Sequence, residues 1–344
     1  MKIEIHQNEV DWLAAREQSL GGSDQAARLL WKGDTHYWLR KNPAALAKHR
    51  AEIEEEDEKH WAKSQVDREV RSALEPVIER RLADAREIEI VDPGPYCIMR
   101  SEVDPRWHYS PDGLVIPRII TAGEFWGDGV DISTEASYKT VSPYARWKWD
   151  DAEPDLYANL QIQSLYAWPD PPDFDPVILA ALIGYGEGAN DFLTYDVEPN
   201  PDLIELIQET TERFWKYVDE DKPPPPDGYD ATMRSLNIIY KSRKKGRGAT
   251  ITLGTPWIAK DLEHQRLKRE IDDLERQQNR IKQEIAAEMG EQEAGLAMVP
   301  ADEHQPGRTW QRVQIGPTKP QLCPHCQEVV RKGHTYTKVL PLKG

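Results

Sequence analysis

Apolar residues recur along this chain with two different spacings, which together predict helices and strands in mixed order. Helical spacing predicts helices from Trp12 to the Gly21–Gly22 pair and over residues 23–30, 59–85, 156–167, 201–218 and 257–289. Alternating or continuous apolar runs predict strands over residues 87–91, 96–103, 114–120, 130–139, 177–185 and 192–197. A helix before the strands, one between them and one after them favour an α/β fold.

The last third of the chain has a different character. Four consecutive prolines end at Pro226 and mark a boundary, and residues 257–289 predict one long polar helix. Its apolar residues follow a heptad-like spacing that Gln278 interrupts; they are Leu267, Ile271, Leu274, Ile281 and Ile285. This pattern predicts either a coiled coil or a helical hairpin that packs on the parent domain. We therefore divide the chain into residues 1–226, 227–290 and 291–344.

Composition limits the class of protein. The 344 residues are 39% hydrophobic, which supports a real core, and no run of about 18 apolar residues predicts a membrane span. The first residues lack the apolar segment of a secretory signal. Three cysteines do not form a disulfide framework. We expect a cytoplasmic protein without a membrane partner.

The net charge of −16 argues at first against a nucleic-acid partner, because Lys and Arg drive phosphate binding. The charge is uneven, however. Residues 241–247 hold five positive charges, among them Arg243, Lys244, Lys245 and Arg247. Such a run is either a solvated loop or a DNA contact, and a DNA-handling site elsewhere in the chain would favour the second interpretation.

One pair of segments carries the groups for metal-dependent phosphodiester hydrolysis. This chemistry needs carboxylates that converge on a divalent cation and gains from a Lys beside the attacking water. Asp112 lies in a Ser-Pro-Asp-Gly turn, and Lys139 ends the strand that follows. Side chains two residues apart share one face of a strand, so Glu135, Ser137 and Lys139 are predicted to face the same way.

In this order the segments resemble the YqaJ-type phage recombinases, relatives of lambda exonuclease in the PD-(D/E)xK nuclease superfamily. The resemblance extends from about Trp12 to Arg312. It implies a restriction-endonuclease-like mixed β-sheet core flanked by helices, with a long C-terminal helical extension. It also implies a Mg²⁺-dependent or Mn²⁺-dependent exonuclease that degrades one strand of duplex DNA from a 5′-phosphate end. A ring-like homo-oligomer and a single-strand annealing protein as partner are implied as well.

The same resemblance assigns roles to individual residues. Arg16 and Ser23 match the family's 5′-phosphate pocket, which fits because a guanidinium and a helix N-terminus both bind anions. Asp112 matches the central metal ligand and Lys139 the catalytic lysine. Further matches are Glu75, as a helix-borne acid, and Gln161 and Gln163, on the helix that supports the active-site strand.

One position departs from the family's pattern. The family places an acid two residues before the lysine, and Ser137 stands there, so a second metal-binding carboxylate is missing from its usual place. Glu135, two residues further back on the same strand face, is the expected substitute. A backbone carbonyl near Tyr138 and the Glu75 carboxylate would complete the ligand set. If Glu135 does not reach the metal, activity is impaired or lost.

Cys323 and Cys326 form a Cys-Pro-His-Cys segment, with His334 further on. This is compatible with half of a structural zinc site or with a plain reduced tail. An iron–sulfur cluster is not expected, since it needs four cysteines.

Three functions remain open from the sequence. The leading hypothesis is the exonuclease for phage-type homologous recombination. A catalytically weakened DNA-binding or assembly protein on the same fold is the first alternative, with Ser137 as the mark of the loss. An endonuclease of the same superfamily is the second.

Overall fold

The computed structural model describes most of the chain with side chains and part of its C-terminal tail as backbone alone. Described with side chains are residues 1–116, 132–149, 153–184, 191–240 and 253–289, except the side chains of 60–64, 66–68, 143, 144 and 147. Five strands between residues 296 and 341 are described as backbone. The chain divides into two compact units, Met1–Lys245 and Gly246–Gly344.

The first unit combines a long helix, two sheets and shorter helices. In chain order its elements are β1 (Lys2–Ile5), α1 (Glu9–Arg16), α2 (Gly22–Ala27), α3 (Gly33–Lys41), α4 (Pro43–Arg86), β2 (Glu89–Val91), β3 (Cys97–Arg100), β4 (His108–Tyr109), β5 (Gly113–Ile116), β6 (Thr134–Val141), α5 (Leu156–Tyr166), β7 (Val177–Ile183), β8 (Asp191–Val197), α6 (Pro201–Asp219) and α7 (Asp230–Ile239). A π-helical turn, Arg28–Lys32, joins α2 to α3, and a 3-10 turn spans Pro143–Lys148.

The central sheet has five strands in the order β2-β5-β6-β7-β8. Only β6 and β7 run parallel, and α5 lies between them in the chain, as a parallel connection requires. The other neighbours are antiparallel. The predicted α/β class is confirmed: the sheet is mixed, and helices flank it. A small antiparallel sheet, in the order β1-β3-β4, lies in the same unit.

Both faces of the central sheet are buried, which explains why β7 is apolar at every position. Leu179, Ala181 and Ile183 share a core cluster with α5. Ile178, Ala180 and Leu182 share another with Ile78 and Leu82 of α4. The alternation along β7 therefore assigns one face of the sheet to α5 and the opposite face to α4.

The predicted helices and strands of this unit are confirmed in type and order, but several boundaries differ. The helix predicted to begin at residue 59 begins at Pro43, where the Asn42 side chain caps it by accepting from the Ala45 N–H. The acidic run at residues 52–58 lies inside that helix and gave no apolar spacing to detect. The ends of three predicted strands, residues 117–120, 130–131 and 185, lie outside the described residues.

The second unit contains the predicted long helix, α8 (Pro256–Glu288), which confirms a C-terminal helical region. Strands β9 (Leu296–Val299), β10 (Arg308–Ile315) and β13 (Tyr336–Pro341) form an antiparallel sheet, and β11 (Gln321–Leu322) pairs with β12 (Val329–Arg331). None of these strands was predicted from the sequence, because Gly and Pro divide this part of the chain into short pieces. In the described part of the chain, no helix is long and apolar enough to cross a membrane.

Candidate active site

Six of the residues singled out in the sequence line one cavity of about 230 Å³ in the first unit. They come from α1, α2, the turn before β5, β6 and α5; the six are Arg16, Ser23, Asp112, Ser137, Lys139 and Gln161. They are spread over almost 150 positions of the chain. Their convergence is a product of the fold, because the β5–β6 pairing and the packing of α5 against α2 bring these segments together.

A larger cavity of about 410 Å³ lies elsewhere, beside β2 and the start of β7. Its charged lining residues are all acidic; they are Glu87, Glu89, Asp175 and Asp196. An acidic lining without a cation disfavours a phosphate ligand. The smaller cavity, which combines acidic and basic groups, is therefore the better candidate for chemistry on a phosphodiester.

Asp112 is fixed by the strand next to it. Its Oδ2 accepts from the Tyr138 backbone N–H at 2.7 Å and from the Ser137 hydroxyl at 3.2 Å. Lys139 Nζ lies 3.6 Å from the same oxygen and donates to Ser137 Oγ at 3.0 Å. Ser137 thus bridges the carboxylate and the ammonium group. Both charged side chains remain partly exposed to the cavity, at 31% for Asp112 and 23% for Lys139.

Glu135 lies deeper, with 0% of its surface exposed. Its two carboxylate oxygens accept long hydrogen bonds of 3.5 Å from the Tyr109 hydroxyl and the Asp112 backbone N–H. Burial, and then the negative charge of Asp112, raise the pKa of Glu135 well above its usual range, against the opposing effect of Lys139. Glu135, the expected substitute acid, therefore lies beside Asp112 but does not line the cavity.

Glu75 lies at the edge of this group. It lies on α4 with part of its surface exposed. Partial burial, and then the negative charge of Asp112, raise the pKa of Glu75, and Lys139 opposes that shift. Tyr138 contributes its backbone N–H to Asp112, as described, and its buried hydroxyl has no hydrogen-bond partner among the described residues.

The two glutamines of α5 have different surroundings. Gln161 lines the cavity and interacts with the Tyr157 hydroxyl. Gln163 does not reach it: its Nε2 donates to the Glu198 carbonyl at 2.8 Å, and its Oε1 accepts from the Asn200 N–H at 2.8 Å. In the structure Gln163 ties α5 to the connection between β8 and α6.

Arg16, which lines the same cavity, is held by three contacts. Its guanidinium lies over the Trp12 ring, 4.2 Å from the centroid, and its Nε donates to His108 Nε2 at 3.2 Å. The Lys41 ammonium donates to the Arg16 carbonyl at 2.8 Å. Burial, and then the positive charge of Arg16, hold the pKa of His108 well below its usual range, so the ring is neutral and can accept.

An ion pair with little exposed surface lies beside Arg16. Lys41 Nζ lies 3.2 Å from Asp24 Oδ2. Burial alone would raise the pKa of Asp24, yet Lys41 and then Arg16 hold it well below its usual range. Because Asp24 thus stays ionised, it partly balances the positive charges of Lys41 and Arg16.

Four residues around Arg16 and Asp112 were missed in the sequence: His108, Tyr109, Asp24 and Lys41. His108 and Tyr109 come directly before the Ser-Pro-Asp-Gly turn, so proximity in sequence could have identified them. Asp24 and Lys41 had no local signal, since only the packing of α2, α3 and α1 brings them to Arg16. Predicted residues at 243, 244, 245 and 247, and Cys323, Cys326 and His334, lie outside the described residues.

The donor atoms around Asp112 fit a hard divalent cation in kind, because carboxylate and hydroxyl oxygens are the ligands that Mg²⁺ and Mn²⁺ prefer. The described hydrogen bonds to Asp112 all reach Oδ2, which leaves Oδ1 for a ligand. The number of acids is small. Among the described residues, no group of three or more His, Cys, Asp or Glu side chains is arranged to hold a metal ion.

No protein-family model matches the chain, and no curated protein matches it. Two solved structures are similar. The crystal structure of an alkaline exonuclease from Laribacter hongkongensis has a TM-score of 0.41 and 15% identity, over 62% of this chain and 94% of that one. The same enzyme in complex with dAMP has a TM-score of 0.39 and 14% identity, over the same shares. These similarities assign no family to the chain.

Proposed function

We propose that the chain is a divalent-metal-dependent deoxyribonuclease that removes nucleotides from 5′-phosphorylated ends of duplex DNA. The observation that carries the proposal is a single cavity that is lined both by hydrolytic groups and by anion-binding groups. Asp112 and Lys139 are the hydrolytic groups, and Arg16 and Ser23 are the anion-binding groups. A role in phage-type recombination, with a single-strand annealing protein and a ring-like homo-oligomer, is the finer form of this proposal and is supported by the sequence resemblance alone.

Each group has a definite task in this proposal. Asp112 and Glu135 would hold the metal, whose chemistry is to bind the scissile phosphate and lower the pKa of a coordinated water. Lys139 Nζ, fixed by Ser137 and Asp112, is placed to orient a water molecule and to offset negative charge as it develops on the phosphate. The Tyr138 N–H holds Asp112 in its rotamer.

Arg16 would bind the terminal phosphate. Its guanidinium is planar and permanently charged, and the Trp12 ring and neutral His108 restrict its motion. The Ser23 hydroxyl, on the same cavity, can add a hydrogen bond. A terminal phosphate bound to Arg16 would place the first phosphodiester bond toward Asp112 and Lys139. The proposed enzyme would therefore prefer DNA ends to internal sites.

A second function is favoured by one observation. Ser137 occupies the position where an acid would complete the metal site, and it is already bonded to both Asp112 and Lys139. With two carboxylates, one of them fully buried, the site would hold a metal weakly. The alternative is therefore a protein that binds DNA ends on this fold and cleaves them slowly.

The decisive experiment compares end-labelled linear duplex DNA with a covalently closed circle, in Mg²⁺, in Mn²⁺ and with a chelator. We expect metal-dependent release of nucleotides from the linear substrate, faster from 5′-phosphate than from 5′-hydroxyl ends, and an intact circle. A nicked circle would identify an endonuclease. End binding without metal-dependent product would support the weakened DNA-binding protein.

Two substitutions test the site itself. Asp112→Asn and Lys139→Ala should each lower the rate about 100-fold or more, because each removes a group that acts on the reacting phosphate. The matched controls Asp173→Asn and Lys222→Ala alter exposed residues outside the cavity and should keep full activity. Wild-type rates in either purified cavity variant would contradict the assignment.

A further inference from the structure

We infer that α8 pairs with α8 of a second copy of this chain, as a parallel, two-stranded coiled coil in register. The starting observation is a row of exposed apolar side chains on a helix of 33 residues. Leu267, Ile271, Leu274 and Ile281 keep 43–58% of their surface exposed. A contiguous apolar row of this kind on a polar helix marks an interaction surface.

The spacing of the row defines a heptad repeat with positions a to g. Ile271, Gln278 and Ile285 occupy position a, and Leu267, Leu274 and Ile281 occupy position d. Alternating steps of four and three residues keep these side chains on one line along the helix, as a two-helix seam requires. Ile at a and Leu at d, which occupy four of the six positions, favour two strands in parallel. Exposed apolar residues nearer the start of α8, such as Leu262, lie off this line.

Gln278 separates the two orientations. In a parallel, in-register pair, position a faces position a, so the two Gln278 amides meet and can bond to each other. In the antiparallel pair that keeps all six layers, Gln278 faces Leu274 and its amide is buried without a partner. That burial costs free energy, so the polar residue favours the parallel arrangement.

The flanking charges favour the same orientation. In a parallel pair each g side chain faces the e side chain five residues further along the other helix. These contacts are Glu263 with Lys268, Glu270 with Glu275, and Gln277 with Lys282. One is attractive, one is repulsive, and one is a hydrogen bond to a cation.

The antiparallel pair brings e to e and g to g. Its contacts are Lys268 with Lys282, Glu275 with Glu275, Glu270 with Glu284, and Gln277 with Gln277. The first three join like charges, and the fourth is neutral. Charge complementarity therefore selects the parallel pair, with one unfavourable contact type left between Glu270 and Glu275.

The oligomeric state of the full chain tests the seam. By sedimentation equilibrium we expect a reversible pairing that doubles the mass and that the double variant Ile271→Asp, Leu274→Asp abolishes, whether the unit that pairs is one chain or the ring-like homo-oligomer proposed above. The control double variant Asn279→Asp, Gln283→Asp adds the same charge on the outer face of α8 and should associate like the wild type. Far-UV circular dichroism and Trp fluorescence check that the first unit stays folded. A wild-type chain that is monomeric throughout, or a seam variant of unchanged mass, overturns the inference.

Cross-linking tests the orientation. With Cys323 and Cys326 changed to Ser, Leu267→Cys should form an intermolecular disulfide under mild oxidation, because a parallel pair brings the two positions within disulfide range. In the antiparallel pair Leu267 faces Ile285, about 27 Å along the helix, and no such disulfide can form. The outward-facing Gln283→Cys is the control and should not cross-link. A disulfide that requires Leu267→Cys together with Ile285→Cys would establish the antiparallel pair instead.

A charge change gives an independent readout. Glu275→Lys converts the one repulsive contact of the parallel pair into an attractive contact with Glu270, and should lower the dimer dissociation constant several-fold at low salt. In an antiparallel pair it leaves residue 275 facing a like charge, so no tightening would follow. An unchanged or higher dissociation constant contradicts the parallel arrangement.

Discussion

At the scale of single residues, the unusual feature of the site is a serine between a carboxylate and an ammonium group. Ser137 Oγ lies 3.2 Å from Asp112 Oδ2 and 3.0 Å from Lys139 Nζ. A neutral hydroxyl links the two charges but adds none, and the acid closest to them, Glu135, is fully buried. The charge around Asp112 therefore depends on Lys139 and Glu135, which lie on one face of β6.

An acid at position 137 should change the affinity for the metal and leave the fold intact. Ser137→Glu adds a carboxylate beside Asp112, where it faces the cavity, and should raise both the affinity for Mn²⁺ and the cleavage rate. Glu135→Gln should lower metal affinity if Glu135 is the substitute ligand. The shift of the melting temperature with Mn²⁺ concentration measures both effects without relying on activity. An inert Ser137→Glu together with an unaffected Glu135→Gln would show that the metal binds elsewhere.

The neutral His108 ring predicts a dependence of stability on pH. Because the pKa of His108 is held well below its usual range, the folded state keeps this ring unprotonated while the unfolded chain protonates it below about pH 6.5. Stability is then fully present above that pH and is lost as the pH falls, by up to about 1.4 kcal/mol per pH unit. Urea unfolding at a series of pH values measures the slope.

His108→Gln should make that slope shallower. The slope will not vanish, because burial also lowers the pKa of His36, to about 2, and this residue contributes in the same direction. A variant with the same pH dependence as the wild type would mean that His108 has an ordinary pKa in the folded protein.

At the scale of elements, the cavity depends on how closely α2 approaches its neighbours. The start of α2 has glycine at two consecutive positions. A Cβ at Gly21 would lie 2.6 Å from His108 Nε2, and one at Gly22 would lie 2.8 Å from the Gln161 carbonyl oxygen. The φ of Gly21 is −91°, which any residue can adopt, so space and not backbone conformation requires glycine there.

Gly21→Ala should therefore displace the His108 ring and with it the support of Arg16. We expect a loss of about 1–3 kcal/mol in the free energy of unfolding, typical of an overpacked site. The preference for 5′-phosphate over 5′-hydroxyl ends should fall with it. Gly254→Ala, whose added methyl meets its nearest atom at 3.7 Å, is the control. Unchanged stability and end preference in Gly21→Ala would show that the ring can move aside freely.

At the scale of the whole molecule, an acidic protein must bind an acidic polymer. With a net charge of −16, long-range repulsion opposes association with DNA, so contacts must come from local groups of cations. Arg16 and Lys139 both line the cavity, and Lys41 lies beside Arg16. The basic run at residues 241–247 is a second candidate from the sequence.

Neutralising Arg243, Lys244, Lys245 and Arg247 together should lower DNA affinity and flatten its salt dependence. Each phosphate contact that is lost removes about 0.9 from the slope of log affinity against log salt. Fluorescence anisotropy with labelled duplex at several salt concentrations gives that slope. The control neutralises four exposed arginines of α8 that lie outside the seam, Arg266, Arg269, Arg276 and Arg280. Equal slopes in all three proteins would identify residues 241–247 as a solvated loop.

The sequence by itself determined the class of fold and the identity of most groups in the cavity. Apolar spacing predicted the central strands and the helices that pack on them, because β7 is apolar on both faces and α6 buries one stripe. The turn at Asp112 and the alternation along β6 were enough to place Glu135, Ser137 and Lys139 on one face.

Only the tertiary structure decided what surrounds those groups. Local sequence does not determine how far a side chain lies from solvent. The complete burial of Glu135 and the contacts of Gln163 outside the cavity could therefore not be predicted from it. The same holds for Lys41, which reaches the Arg16 carbonyl across 25 positions of the chain. Spacing along one element predicts which side chains share a face, whereas their environment is set by the other elements that pack on that face.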